Sequence, residues 1–372
     1  MLLENSSIFE STRIAKLNIA NKLVVAPMTR VSGNEDGTVG PLMEEYYQDY
    51  AKGGFGLIIT EGLYTDQLYS QGYFKQPGIA TGAQAKSWQP VVEAVHAEGG
   101  SIIAQLMHAG ALSQYNRFND KTAGPSAVQP LGEQMPFYYG EGQYPVPQAM
   151  TLDDIEAAID GFVQSAVLAK SAGFDGVEIH GANGYLLDQF LTDYTNQRDD
   201  EFGGSVANRL RIYQRIIEAV RQAVGDDFIV GVRFSQKKVN DTEHVWAEGE
   251  SAAEQAFKLA KACGADYIHT TEPVLNDGAF ADSKPLAELA KQYSGLPVIA
   301  NGGVNDADLA RKVLKDQQAD LIALGKIALS NPNWPNRVRE QEAIEPFDFA
   351  MLAPIADLDS AKRYFADKAL TE

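Results

Sequence analysis

The 372-residue chain predicts an α/β fold, a (β/α)8 or TIM barrel, on three observations. Short apolar, β-branched runs recur along the whole chain, most are followed by an amphipathic Ala/Glu/Lys-rich segment, and no run leads into a dinucleotide turn. The runs are NKLVVAPMT (21–29), GFGLIITEG (54–62), GSIIAQLMH (100–108), FDGVEIHGA (174–182), FIVGVRFS (228–235), ADYIHTTEP (265–273), PVIANGG (297–303) and ADLIALGK (319–326). Their interiors are apolar at consecutive positions, as parallel strands covered on both faces must be. The competing arrangement, a doubly wound open sheet, would advertise G-x-G-x-x-G after a strand, and none occurs.

The intervening segments read as helices. GAQAKSWQPVVEAVHAEGG closes on a glycine pair, with His96 on a helix face. TLDDIEAAIDGFVQSAVLAKSAG opens on Thr151 as N-cap, has acids in its first turn and ends at Gly173. SVANRLRIYQRIIEAVRQAVG and NDADLARKVLKDQQA repeat the pattern. Two insertions follow strands on their C-terminal side, where barrel active sites are built: 109–150, rich in Pro, Gly and Tyr, and 236–248. The expected organisation is one barrel domain over 1–372, with 109–150 capping the mouth and 341–372 as a tail forming a closing helix.

Hydrophobic residues make up 45% and charged residues 22%, the range of a globular chain. The net charge of −19 argues against nucleic acid or anionic membrane as partner. A single cysteine, Cys263, excludes an internal disulfide and a cysteine-ligated metal, and its setting at a helix end reads as core. The start, MLLENSSIFEST, lacks the basic and apolar regions of a secretory leader, and no run reaches membrane-spanning length, so a cytoplasmic location is expected.

The strand ends point to chemistry. In order they carry Thr29, Glu61 with Gly62, Gln105 with His108, His180 with Asn183, Arg233, Glu272, Gly302 with Gly303, and Gly325 with Lys326. Gly302 and Gly303 precede a helix beginning near Asp306, an arrangement suited to an anion. Arg233, ending an apolar strand, reads as a buried cation whose partner is a phosphate, and Lys326 offers a second charge. Thr29, Gln105 and the TEG turn suit a flat heterocycle with several C=O and N groups. His180, Asn183 and Tyr185 would face whatever lies over that ring.

These residues are ordered as in a known family. NKLVVAPMTR, GLIITEG, AVHAEGGSIIAQLMHAG, DGVEIHGANGYLLDQFLTDYTNQRDDEFGGSVANRLR, GVRFS, PVIANGGV and LGKIALSNPNWPNR resemble the old yellow enzymes, from about residue 5 to 340. The resemblance implies a barrel holding FMN, reduced by NADPH or NADH, that reduces activated C=C bonds of unsaturated carbonyls, nitroalkenes or quinones in a ping-pong cycle. It places Pro27, Met28 and Thr29 along the flavin, Gly62 and Gln105 on the ring, and Arg233 toward its N1/C2 edge. Gly302, Gly303, Gly325 and Lys326 would hold the phosphate. It assigns His180 and Asn183 to the substrate oxygen and Tyr185 to proton donation after hydride transfer from flavin N5. Lys326 stands where many relatives place arginine, and Ala111 and Met107 also depart from the common pattern. Thr29, where another branch has cysteine, resembles the classical branch.

A flavin-dependent quinone or nitro-compound reductase and a non-catalytic flavin-binding barrel are the alternatives. A metal-dependent barrel hydrolase would want a paired histidine motif ending the first strand, and an aldolase a lysine inside a central strand; neither is present. His269, within the sixth strand, reads as core or as support for the site. Monomer and homodimer both fit.

Overall fold

The computed structural model describes residues 6–370; the opening MLLEN, part of the stretch read as lacking a leader, and the last two tail residues lie outside them. Eight strands form the barrel: β1 (Leu23–Val25), β2 (Leu57–Ile59), β3 (Ser101–Met107), β4 (Gly176–Asn183), β5 (Ile229–Lys238), β6 (Tyr267–Thr271), β7 (Val298–Asn301) and β8 (Leu321–Leu324). Each pairs in parallel with its neighbours in chain order, and β8 pairs with β1, so the sheet closes and leaves no edge.

Side chains alternate across the barrel wall. Outward residues such as Val25, Ile58, Ile102, Val177, Val230, Ile268, Val298 and Ile322 pack under the helices. Inward residues Val24, Leu57, Ile59, Ile103, Ile229, Tyr267, Ile299 and Leu321 form a separate core. An antiparallel hairpin, Thr12–Ile14 with Leu17–Ile19, adds Ile14, Leu17 and Ile19 to that inner core and so plugs one end. Further along the inward face the residues turn polar: Gln105, Glu178, Arg233, His269 and Asn301 occupy the next positions of the same period.

The surrounding helices are α1 (Pro41–Lys52), α2 (Gly82–Ala97), α3 (Leu152–Ser171), α4 (Arg211–Val224), α5 (Glu250–Ala262), α6 (Leu286–Ser294) and α7 (Ala307–Lys315). Thr151 caps α3 in a reciprocal box with Asp154, as the sequence predicts, and Asp306, near which the sequence places a helix start, caps α7. His96 lies in the last turn of α2 and pairs with Asp175 at 2.9 Å.

Three expectations need adjustment. The segment SVANRLR… is divided at Leu210 into a short helix (Val206–Arg209) and α4, and buried Arg209 at the division donates to the carbonyls of Leu191 and Gly204. The loop expected from 236 begins later, since β5 continues to Lys238 after a register shift past Phe234. The tail supplies more than a closing helix (Leu358–Ala369): a 3-10 turn at Phe349–Leu352 precedes it, and Phe347, Phe349 and Leu352 reach the barrel mouth.

Candidate active site

The C-terminal ends of the strands open into a cavity of about 690 Å³, within the roughly 300–1,000 Å³ typical of small-molecule sites. Pro27, Met28, Thr29, Gly62, Gln105, His180, Asn183, Tyr185, Arg233, Gly302, Gly303, Gly325 and Lys326 all line it. Of the other strand-end residues, Glu272 lines it, whereas Glu61 and His108 do not. Glu61 turns inward and accepts the Arg30 N–H at 3.0 Å, holding the loop after β1. His108 is buried, accepts the Gly110 N–H at 3.1 Å and lies 3.5 Å from Asp66.

The floor is a buried polar network. Glu178, fully buried, accepts from Gln105 Nε2 at 2.8 Å through Oε1. Its Oε2 accepts from Tyr267 at 2.9 Å and lies 2.9 Å from His269 Nδ1. Burial pushes the Glu178 carboxyl up, but the hydrogen bond from His269, the charge of Arg233 and the hydrogen bond from Gln105 outweigh it and hold the carboxyl below its ordinary value. Burial, reinforced by Arg233, lowers His269, so the neutral ring donates Nδ1–H to an ionised Glu178. Arg233 donates from Nη2 to Asn301 Oδ1 at 3.1 Å, and its Nε is buried without a partner. The expectation that a phosphate must supply the Arg233 counter-charge is therefore corrected: Glu178 supplies it from within the barrel.

Above this floor stand the groups singled out at the end of β4. Burial, with Arg233 second, depresses the His180 imidazole well below its ordinary value, so it is neutral; its buried Nδ1 has no partner. Asn183 sits at φ 63°, followed by Gly184 at 88°, a left-handed pair that reverses the chain and sends Tyr185 back over the cavity. Asn183 N–H donates to Ser235 Oγ at 2.8 Å, Gly184 N–H donates to Asp188 at 2.6 Å, and Lys238 pairs with the same carboxylate at 2.8 Å. That ion pair is buried on both sides.

Tyr185 packs against His180 with ring centroids 5.0 Å apart, and its hydroxyl lies 2.5 Å from that of Tyr73. Burial, more than any other influence, raises its pKa, so the phenol keeps its proton. Tyr73, Tyr144 and Met107 pack around it, with Tyr138 and Met135 from the 109–150 insertion alongside. The Thr29 carbonyl accepts from Tyr138 at 3.3 Å, anchoring the insertion to the mouth.

At the opposite side, a Cβ on Gly302 would lie 2.0 Å from the Glu272 carbonyl oxygen, and Gly302 has φ 148°, so only glycine fits. Gly303, at φ 66°, leads toward α7. Lys326 is exposed with Nζ 5.1 Å from the Phe349 ring centroid, and no carboxylate pairs with it among the described residues. A bare glycine backbone beside one unpaired ammonium, with an orphaned Arg233 Nε and His180 Nδ1 deeper in, fits a group with a phosphate at one end and a hydrogen-bonding ring at the other. FMN has that shape.

Sequence reasoning missed Glu178 and Asn301, though a lone acid inside the apolar run DGVEIH was a signal. Nothing local marked Tyr73 or the tail aromatics.

A parallel barrel with a flavin-shaped mouth defines a class of oxidoreductase, and the comparisons narrow it. A profile of the NADH:flavin oxidoreductase / NADH oxidase family matches residues 7–345. An old yellow enzyme homologue from Zymomonas mobilis superimposes with TM-score 0.85 at 32% identity, covering 95% of this chain and 99% of that one. Morphinone reductase in complex with tetrahydroNAD superimposes at 0.83 and 33%, covering 95% and 97%. A putative 12-oxophytodienoate reductase of Oryza sativa subsp. japonica is 34% identical over 342 residues, 90% of this chain and 84% of that protein. An NADH oxidase of Thermoanaerobacter brockii is 32% identical over 343 residues, but the match spans only 51% of its length. The chain belongs to the NADH:flavin oxidoreductase / NADH oxidase family, the old yellow enzymes, and is an NAD(P)H-dependent flavin oxidoreductase. No helix among the described residues is long and apolar enough to cross a membrane.

Proposed function

We propose that this protein reduces activated C=C bonds, those of α,β-unsaturated carbonyl compounds first, with NADPH or NADH as reductant in a ping-pong cycle. The observation that carries the reading is the group at the end of β4: a neutral buried imidazole, a carboxamide and a protonated phenol facing one cavity. Nitroalkenes and quinones present a similar acceptor oxygen and belong to the same proposal.

FMN, when bound, supplies the hydride. Pro27, Met28, Thr29, Gly62, Gln105 and Arg233 would hold its ring, and Gly302, Gly303, Gly325 and Lys326 its phosphate. His180 and Asn183 donate hydrogen bonds to the substrate oxygen as charge accumulates there, and being neutral they stabilise that charge without first giving up a proton. Tyr185 delivers a proton to the α-carbon from its own side of the cavity. Its near neighbour Tyr73 keeps the hydroxyl aimed rather than free to rotate. Met135, Phe137 and Tyr138 of the 109–150 insertion form part of the cavity wall. The whole of 1–372 acts as one flavin-binding barrel, cytoplasmic, monomeric or homodimeric.

The test is direct. The purified protein should be yellow and release FMN on denaturation; it should be bleached anaerobically by NADH or NADPH and recoloured by 2-cyclohexenone. A preparation that takes up no FMN, or that is bleached but not recoloured by any enone, nitroalkene or quinone, would sink the proposal.

A further inference from the structure

We infer that Glu178 is a positioning residue that acts through Arg233, balancing its charge and so setting how readily a flavin in the cavity accepts electrons. This rests on the FMN reading above and deepens it.

Three placements support it. Glu178 and Arg233 face inward from adjacent strands: Gly231 is level with Glu178, and Arg233 stands one inward position higher, level with His180. Glu178 does not line the cavity, whereas Arg233 and Gln105 do, so the carboxylate touches neither ligand nor substrate and reaches them only through these two. No carboxylate contacts Arg233 among the described residues. The titratable groups facing it are Glu178, His180, His269, Tyr185 and Tyr267, and Glu178 alone among them carries negative charge at neutral pH.

The carboxylate is held by donors from two other strands: Gln105 of β3, and Tyr267 and His269 of β6. An ionised group in a fully buried position is expensive unless it balances another charge, and packing alone does not call for one here. Reduction places negative charge on the flavin ring. A fixed anion beneath the cavity opposes that charge, and a cation favours it, with little water between to screen either. The Glu178–Arg233 couple thus holds the floor near electrical neutrality while leaving the guanidinium free to point at the ring.

The test is the flavin midpoint potential of Glu178→Gln, measured beside FMN titration of the apoprotein. Neutralising the acid leaves Arg233 uncompensated, so the potential should shift upward while FMN still binds. Tyr267→Phe removes one donor to the carboxylate without changing its charge, and should leave the potential much nearer that of the parent. Should Glu178→Gln fail to fold, Glu178→Asp withdraws the carboxylate from Arg233 and should give a smaller upward shift. An unchanged or lowered potential in the folded Glu178 variant, or an equal shift in Tyr267→Phe, would overturn the inference and leave Glu178 a packing residue. Failure of the parent apoprotein to take up FMN is a different result, and it would remove the functional reading itself.

Discussion

At the scale of single residues, Tyr185 carries the most selective expectation, because its proposed role belongs to one half of the cycle. Tyr185→Phe keeps the ring that packs on His180 and removes only the proton, so fold and FMN content should survive. In stopped flow, bleaching by NAD(P)H should be nearly unchanged, and reoxidation by 2-cyclohexenone should fall by roughly 10²–10⁴, the scale of a lost general acid. Reoxidation by a quinone, which needs no protonation at carbon, should be spared; equal slowing of both oxidants would make Tyr185 a substrate-positioning group. Residues of this kind were legible because a parallel barrel brings every strand end to one mouth, so polar residues closing apolar runs are site candidates by position alone. Glu61 and His108 show the limit. Both end a strand, yet one turns in to hold the Arg30 backbone and the other lies under the loop at Gly110. Tyr73 was hidden for the opposite reason: it lies 112 positions from Tyr185 on a loop without periodicity.

At the scale of elements, the turn after β4 depends on β5. Asn183 and Gly184 adopt left-handed conformations that the chain holds only because Ser235, Asp188 and Lys238 satisfy the surrounding groups. Lys238→Met would strand the Asp188 carboxylate in the interior and should cost about 3–5 kcal/mol, the scale for a buried pair that loses one partner. Equilibrium denaturation should report that loss, and Lys238→Met with Asp188→Asn should recover part of it. Stability within experimental error of the parent would show that water reaches Asp188. The strands themselves were readable from their doubly covered apolar runs. Not readable was the extension of β5 to Lys238, because QKK carries no strand signal and is drawn into the sheet by pairing with Asn183.

At the scale of the whole molecule, two acids make stability depend on pH, Glu61 buried and Glu272 half-buried in the cavity wall. Burial raises Glu61 to about 7, against the Arg30 N–H and charge, and burial likewise raises Glu272 to about 7. A carboxyl raised in the folded state contributes stability fully present below its unfolded value of 4.5, lost as pH climbs through about 7. The apoprotein should therefore lose on the order of 2–3 kcal/mol through Glu61 between about pH 5 and about pH 8. Glu61→Gln should flatten that slope in a denaturation series; an unchanged slope would mean the carboxyl is solvated. Barrel closure and strand order could be anticipated from the repeating strand–helix rhythm. The tail could not, since its aromatics gain meaning only from the distant loops they meet.

That tail has a kinetic consequence. Phe347, Phe349 and Leu352 form part of the cavity wall, and the fastenings of the segment behind them include three to the backbone or a hydroxyl: Ala356 N–H to the Phe137 carbonyl, Leu358 N–H to Ser32 Oγ, and Arg30 to the Asp357 carbonyl. All three lie at or just before the terminal helix, Leu358–Ala369, so the wall is expected to loosen when that helix detaches. Cofactor exchange then becomes a local-unfolding event. Amide hydrogen exchange in the terminal helix and the off-rate of bound flavin should rise together with denaturant, along the same slope. Flavin leaving faster than the helix opens would mean that the wall swings on its own.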